Sequence, residues 1–268
     1  MKEQRLHPQP GHKVKLKDFD PDDRGHYKRD EADVEEDKLE KRLAGLQERL
    51  YAEGKQALLV VLQAMDAGGK DGTIKHVFDH ANPQGVRVTS FKVPTPEEMS
   101  HDFLWRVHKQ VPPKGYIGIF NRSHYEDVLV VRVNKLAPRK VWEARYEQIN
   151  QFEQMLAENG TRIVKIFLHI SKDEQKERFQ ERLDNPEKHW KFSTGDLPVR
   201  EKWDEYMEAY EAVLTNCNTS YAPWYIIPAN HKWYRNLLAT RILVETLDAM
   251  NPQYPPAEPD LDKVVIPD

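Results

Sequence analysis

Apolar positions along the chain follow two alternating rhythms. From residue 31 to 53, Val34, Leu39, Leu43, Leu46 and Leu50 recur at spacings of three to five, which predicts an amphipathic helix ended by Gly54. Ala57–Leu62 is then an unbroken apolar run, the mark of a strand buried on both faces. The same alternation predicts strands at Val86–Val93, Tyr116–Phe120, Ile163–Ile170 and Trp224–Ile227. Helices are predicted at Thr73–His80, Glu97–Val111, Val141–Glu158, Lys172–Leu183, Glu201–Leu214 and Trp233–Met250. Continuous apolar strands separated by helices define an α/β protein with a parallel five-stranded sheet flanked by helices.

The two ends and one insertion break this rhythm. Residues 1–30 hold Pro8, Pro10, Gly11, Pro21 and Gly25 among many charges, and read as an arm lying over the domain formed by residues 31–250. Residues 251–268 contain five prolines and no apolar period, and are expected to be extended or mobile. Asn185–Val199, bracketed by Pro186 and Pro198, carries Lys188, His189, Trp190 and Lys191. It reads either as a solvated loop or as a lid that closes over an anionic ligand.

Composition narrows the function classes. Lys plus Arg number 40 and Asp plus Glu 44, a formal charge of −4, which argues against nucleic acid as the main partner. The Ala57–Leu62 run is far shorter than the roughly 20 residues of a membrane helix. The polar first 30 residues do not resemble a secretory leader, so a cytoplasmic protein without a membrane partner is expected. The single cysteine, Cys217, excludes an internal disulfide and reads as a small semi-buried side chain.

The sharpest chemical signal is the turn after the first strand, Ala64 to Thr73. A glycine-bearing turn that leaves a buried strand and opens a helix aims several backbone N–H groups at one point, and a lysine adds a full charge. Ala67, Gly68, Gly69, Lys70, Asp71, Gly72, Thr73 and Lys75 are therefore candidate phosphate binders. Against the usual GxxxxGK[ST] pattern, Ala64 replaces the first glycine and Asp71 the metal-binding hydroxyl. Asp66 would repel a phosphate unless a cation lay between them. It either binds Mg²⁺ or takes the acceptor's proton, or it caps the following helix, a task for which Asp71 is better placed.

The third strand ends in Asn121-Arg122-Ser123-His124-Tyr125-Glu126-Asp127. In a parallel sheet the carboxyl ends of neighbouring strands face one crevice, so Asn121 and Arg122 are expected near Lys70. Arg122 suits phosphate oxygens. Glu126 and Asp127 are either metal ligands or parts of a solvated turn, and His124 reads as a packing residue. Arg178 and Arg182 share a helix face; they reach the same phosphates or pair with Glu174 and Glu181.

These segments together resemble the polyphosphate kinase 2 family. The resemblance rests on DAGGKDGTIKH from Asp66, NRSHYEDVLVVRV from Asn121, NPEKHWKFSTGD from Asn185, and KWDEYMEAYEAVL followed by APWYIIPANHKWYRNLL. It covers roughly residues 31–250 and implies a P-loop kinase fold like that of thymidylate kinase, with a helical lid. It also implies Mg²⁺-dependent, reversible phosphoryl transfer between inorganic polyphosphate and a nucleotide, and a homo-oligomer. Residue by residue, Asp66 matches the family's loop aspartate, which orients metal and acceptor phosphate. Lys70 and Arg122 match the residues that hold the transferring phosphates. Many members have Asp-Arg-Ser where this chain has Asn121-Arg122-Ser123, and a neutral amide is a poor Mg²⁺ ligand. The combination resembles the class III subgroup, which accepts both AMP and ADP; guanine nucleotides are further candidate acceptors. Catalytic roles are accordingly expected of Asp66, Lys70, Asn121, Arg122 and Glu126, and metal binding of Asp66, Glu126 and Asp127.

A polyphosphate donor needs a cationic path, for which Lys75, Arg132, Arg178, Arg182, Lys188 and Lys191 are candidates. Phe103, Trp105 and Trp190 are candidate base contacts, although a buried aromatic is more often core. Three rivals remain: an ATP-dependent nucleoside or nucleotide kinase on the same fold, a P-loop nucleotide switch, and a nucleic-acid-binding ATPase. The switch is disfavoured because the one Asn-Lys pair, Asn134-Lys135, is followed by Leu136-Ala137 and not by the guanine-reading x-Asp. Net charge disfavours the ATPase.

Overall fold

A computed structural model of the chain describes residues 6–267. Its centre is β1 (Ala57–Gln63), every residue of which is buried. The sheet is completed by β2 (Val86–Ser90), β3 (Ile117–Asn121), β4 (Thr161–His169) and β5 (Trp224–Pro228), in the order β2-β3-β1-β4-β5. All pairs are parallel. Lying between β3 and β4, with helices on both faces, β1 has no solvent face, so its sequence shows no polar alternation. Register sets Leu62 of β1 beside Asn121 of β3 and Gln63 beside Phe167 of β4. The residues that follow β1 and β3 therefore emerge side by side.

The helices, in chain order, are α1 (Arg29–Glu53), α2 (Lys70–Val77), α3 (Pro96–Met99), α4 (Trp105–His108), α5 (Val130–Val133), α6 (Arg139–Glu158), α7 (Lys172–Asp184), α8 (Asp196–Glu201), α9 (Trp203–Asn216) and α10 (Lys232–Met250). The longest, α1, buries Leu43, Leu46 and Leu50 and packs along α10, which buries Leu237, Leu243 and Leu247. Gly54 closes α1 in the left-handed conformation, φ 63°, which suits a residue without a Cβ.

Three differences from the sequence expectation have local causes. The helix expected over Glu97–Val111 is two single turns, α3 and α4. A capping box of Thr95 and Glu98 starts α3, the Ser100 hydroxyl then donates to the Glu97 carbonyl, and the Asp102 side chain accepts from the Leu104 N–H to start afresh. The helix expected from Thr73 begins at Lys70, directly on the glycine turn. The irregular insertion at 185–199 contains a 3₁₀ turn, Pro186–Lys191, and its end is already helical in α8.

The N-terminal segment is held to the outer strand. The Leu6 carbonyl accepts from the Ile226 N–H, and Val14 and Leu16 are buried with their N–H groups on Thr215 and Glu211. The open edge of β5 is thereby covered. Cys217 is fully buried rather than half-buried, and burial pushes its thiol up to about 12, so it is an inert packing residue. Among the described residues no helix is long and apolar enough to cross a membrane.

One polar cluster inside the core bears on the site. Lys165, in the apolar run of β4, donates to Glu153, to the Tyr125 hydroxyl at 2.8 Å and to the Cys217 carbonyl at 2.6 Å. His124 lies 3.2 Å from Glu153 and, like Tyr125, is fully buried, as expected of a packing residue. Burial alone would push the Glu153 carboxyl up; Lys165 and His124 outweigh it and hold it below its ordinary value. With His124 and Tyr125 anchored, the turn after β3 leaves Arg122 and Glu126 at the crevice.

Candidate active site

The loop after β1 reverses the chain tightly. The Gly68 N–H reaches the Met65 carbonyl at 3.0 Å, Ala67 has φ 60°, and Gly69 has φ 101°. A Cβ at Gly69 would lie 2.1 Å from Nη1 of Arg235, so the position admits no side chain as it stands. No side chain caps α2, and the expected capping by Asp71 does not occur. Asp71 instead accepts a hydrogen bond from Asn121 Nδ2 at 2.5 Å, which ties the end of β3 to the first turn of α2. An uncapped helix start on a glycine turn leaves amides and positive potential for an anion.

Lys70 folds back under this loop. Its Nζ donates to the Ala64 carbonyl at 3.0 Å and lies 3.4 Å from that of Met65, and the side chain is buried. Burial, and then the charge of Arg122, pushes the ammonium down to about 8. Thr73 is turned inward, its hydroxyl donating to the Gly69 carbonyl at 3.1 Å. Lys75 is exposed on α2.

Arg122 stands opposite. Its φ of 62° is uncommon for a non-glycine residue, and together with Ala67 it puts two such residues at the mouth of the sheet. Its guanidinium donates to Asp66 and lies 4.0 Å from Glu126. Burial works against its charge, and Glu126 and Asp66 more than compensate. Gln63 Nε2 holds the other Glu126 oxygen at 3.0 Å. Asp66, Lys70, Arg122 and Glu126 thus form one constellation, with Asn121 bound to its rim.

Other expected residues are engaged differently. Asp127 pairs with Arg145 at 3.1 Å, which leaves its carboxylate occupied away from the Asp66–Arg122 pair. Arg178 donates to Glu174 and to the carbonyls of Ala67, Ala229 and Asn230, so it supports the loop through its backbone. Arg182 donates to the Lys191 carbonyl and lies 4.0 Å from Asp196, tying α7 to the insertion. Lys188 pairs with Glu181, Lys191 lies over the exposed ring of Trp190, and Arg132 lies over Trp142. Phe103 stacks under Arg145. Trp105 lies against His101 in a cavity of about 360 Å³ that no loop residue lines.

Four residues were not singled out from the sequence. Gln175 donates to the Asp66 carbonyl at 2.9 Å, and Arg235 lies over Gly69. Asp196, 4.0 Å from Arg182 at the end of the insertion, has its carboxyl raised by burial and then by the charge of Asp66. Tyr210 is buried, and burial and then the charge of Glu126 push its hydroxyl well up. Asp196, Tyr210 and Arg235 fall inside the segments that carry the family resemblance, and Arg235 also stands out as a charge inside the apolar period of α10.

A five-stranded parallel sheet in this order, flanked by helices and with a glycine turn leading from β1 into α2, is a P-loop kinase fold. The sequence pattern of polyphosphate kinase 2 matches residues 26–255, and the chain belongs to this family. It is 59% identical over 268 residues, 99% of this chain and all of the relative, to the AMP/ADP-polyphosphate phosphotransferase of Meiothermus ruber. It is 47% identical to the ADP-polyphosphate phosphotransferase of Rhodopseudomonas palustris, over 81% of this chain and 80% of the relative. The crystal structure of polyphosphate kinase 2 from Arthrobacter aurescens TC1 superposes with a TM-score of 0.93 at 45% identity, covering 97% of this chain and 93% of that one.

Proposed function

We propose that this chain transfers the terminal phosphoryl group of inorganic polyphosphate to AMP and to ADP, giving ADP and ATP. The observation that carries this reading is the opposition of Arg122, Asp66 and Glu126 to an uncapped loop helix backed by Lys70. Such a site has little covalent work to do, since phosphoryl transfer depends on alignment and on cancelling charge. The bond from the terminal phosphorus to its bridging oxygen breaks, and an acceptor phosphate oxygen forms the new one. The loop amides and Lys70 hold the phosphates along one side, and Arg122 forks onto the transferring group. Asp66 and Glu126 offer hard oxygen donors on either side of the Arg122 guanidinium, and they would hold Mg²⁺ once Arg122 turns onto the transferring group. Bound there, that ion offsets charge on the phosphate oxygens. Asn121 makes the strand end less negative than an aspartate would, which eases approach of either acceptor.

The relatives' names support both acceptors in one case and ADP in the other. The deciding experiment is a time course from AMP and polyphosphate without ATP, read by chromatography. ADP followed by ATP is expected. ADP formation only when ATP is the donor would favour the ATP-dependent nucleotide kinase. Glu126→Ala should slow the AMP step more than the ADP step, because AMP brings fewer phosphate oxygens to share a metal; equal slowing would remove the role given to Glu126.

We also propose that residues 185–199 close over bound phosphates. The support is their tether to α7 through Arg182, which donates to the Lys191 carbonyl and lies 4.0 Å from Asp196. Proteolysis in this segment should be fast in the free protein and slow with nucleotide plus polyphosphate. Equal rates would make it an ordinary loop.

A further inference from the structure

At the far end of α2, away from the phosphate loop, two pairs of side chains meet. Glu36 and Glu40 lie one turn apart on α1, His76 stands in the last turn of α2, and His80 lies in the turn that follows it. His76 Nε2 lies 2.9 Å from Glu36 Oε1 and 3.5 Å from Glu40 Oε1, and His80 Nδ1 lies 3.4 Å from Glu40 Oε2. Donor atoms of Glu36, Glu40 and His76 all fall within 4.8 Å of one another.

Salt bridges alone account poorly for this cluster. Glu36 is only 6% exposed. Among the described residues no hydrogen bond reaches its Oε1, and His76 Nε2, equally shielded from water, makes none either. The two atoms thus face one another at 2.9 Å, shielded from water, without the geometry of a hydrogen bond between them. An unsatisfied buried carboxylate oxygen is costly, and a shared cation would satisfy both atoms. Burial raises the Glu36 carboxyl, and the nearby charges of His76, Glu40, Asp33 and Arg235 act on it in both directions.

We propose that Glu36, Glu40 and His76 form a zinc-class divalent metal site, its shell completed by water, that clamps α2 to α1. Tetrahedral bonds of about 2.0–2.1 Å put neighbouring ligand atoms about 3.3 Å apart, close to the spacings present. One imidazole with two carboxylates suits Zn²⁺ and its first-row neighbours, whereas Mg²⁺ prefers oxygen and retained water. The site is distinct from the Asp66–Glu126 pair. Because α2 begins at Lys70, a clamp on its other end would steady the helix that carries the loop.

The test uses the full chain stripped of metal by chelation and dialysis, then titrated with Zn²⁺ against a chromophoric chelator, and with Co²⁺ as a spectroscopic probe. One tight equivalent per chain is expected, with visible Co²⁺ bands of tetrahedral type. At a hundredfold excess over its dissociation constant, Zn²⁺ should raise the thermal midpoint by on the order of 5 °C. Glu36→Gln and His76→Gln should each weaken binding by on the order of 100-fold or more and abolish the thermal response. His76 is partly exposed, so its variant keeps the test decisive if the Glu36 variant folds poorly. Absence of tight binding to the native chain, or equal binding by native chain and folded His76→Gln, overturns the proposal.

Discussion

Replacing Lys70 by alanine is expected to lower turnover by on the order of 10²–10³-fold, the usual cost of deleting one preorganised charge from a charged transition state. The side chain lies buried under the loop with its ammonium on the carbonyls of Ala64 and Met65, so the charge is already in place before substrate arrives. The fold should survive. The substitution removes hydrogen bonds worth about 1 kcal/mol each, and it also removes a buried charge. Lys70→Met, which restores length without charge, should be as inactive as the alanine variant. A pH profile tests the same assignment. Burial and Arg122 push the ammonium down to about 8 from its ordinary 10.5. Between those values the unfolded chain holds a proton that the folded one has released. This group's contribution to stability therefore rises with pH from about 8 to 10.5, and the variants lose that rise. Activity moves the opposite way. In the free enzyme, kcat/KM for polyphosphate should fall above about pH 8, while kcat at saturating substrate should hold to higher pH, because phosphate oxygens favour the ammonium. Near-normal turnover in a folded Lys70→Ala protein would remove the loop from the reaction.

The sheet was legible because β1 is an unbroken apolar run and β3, β4 and β5 are mostly apolar and buried, whereas β2 alternates as Val86-Arg87-Val88 and has no buried residue. Helices with one clear apolar stripe, such as α1 and α6, were legible for the same reason. Residues 97–111 misled because their period is helical, whereas Ser100 and Asp102 compete for the backbone locally and split the helix. At the site, Asp66, Lys70 and Arg122 follow strand ends, where sequence position and spatial position coincide. Asp71 was misread because composition cannot reveal that Asn121, 50 residues away, offers it a closer partner than its own helix. Arg178 was ambiguous for a related reason. Its charge suggested phosphate, but backbone carbonyls of the loop and of the residues just after β5 take its donors, and carbonyls carry no sequence signature. Gln175 reaches the constellation only through the packing of α7, and the charge of Asp66 reaches Asp196 only through the fold of the insertion. Gln175 is encoded in no local pattern, and Asp196 only as the end of the segment NPEKHWKFSTGD.

Asp66→Asn is expected to lower turnover by on the order of 10³-fold, and it separates two roles that alanine would confound. Asp66 is held at both ends: its carboxylate receives Arg122 and its backbone carbonyl receives Gln175 at 2.9 Å. If its task were only to position Arg122, asparagine would suffice, because the amide oxygen still accepts that hydrogen bond and nearly fills the same volume. The pair is partly exposed, so losing its charge should cost the fold no more than about 1 kcal/mol. What asparagine cannot supply is a negative charge to hold a divalent cation or accept a proton at the acceptor phosphate. A folded Asp66→Asn protein should therefore show a lower kcat and need more Mg²⁺ for half-maximal rate, with little change in KM for polyphosphate, which the loop and Lys70 bind. Asp66→Glu, which keeps the charge one methylene further out, should recover part of the Mg²⁺ dependence but little of kcat, because in-line transfer tolerates displacements well under 1 Å. A kcat within a few-fold of the native value for Asp66→Asn would reduce Asp66 to a support for Arg122 and pass the metal to Glu126 alone.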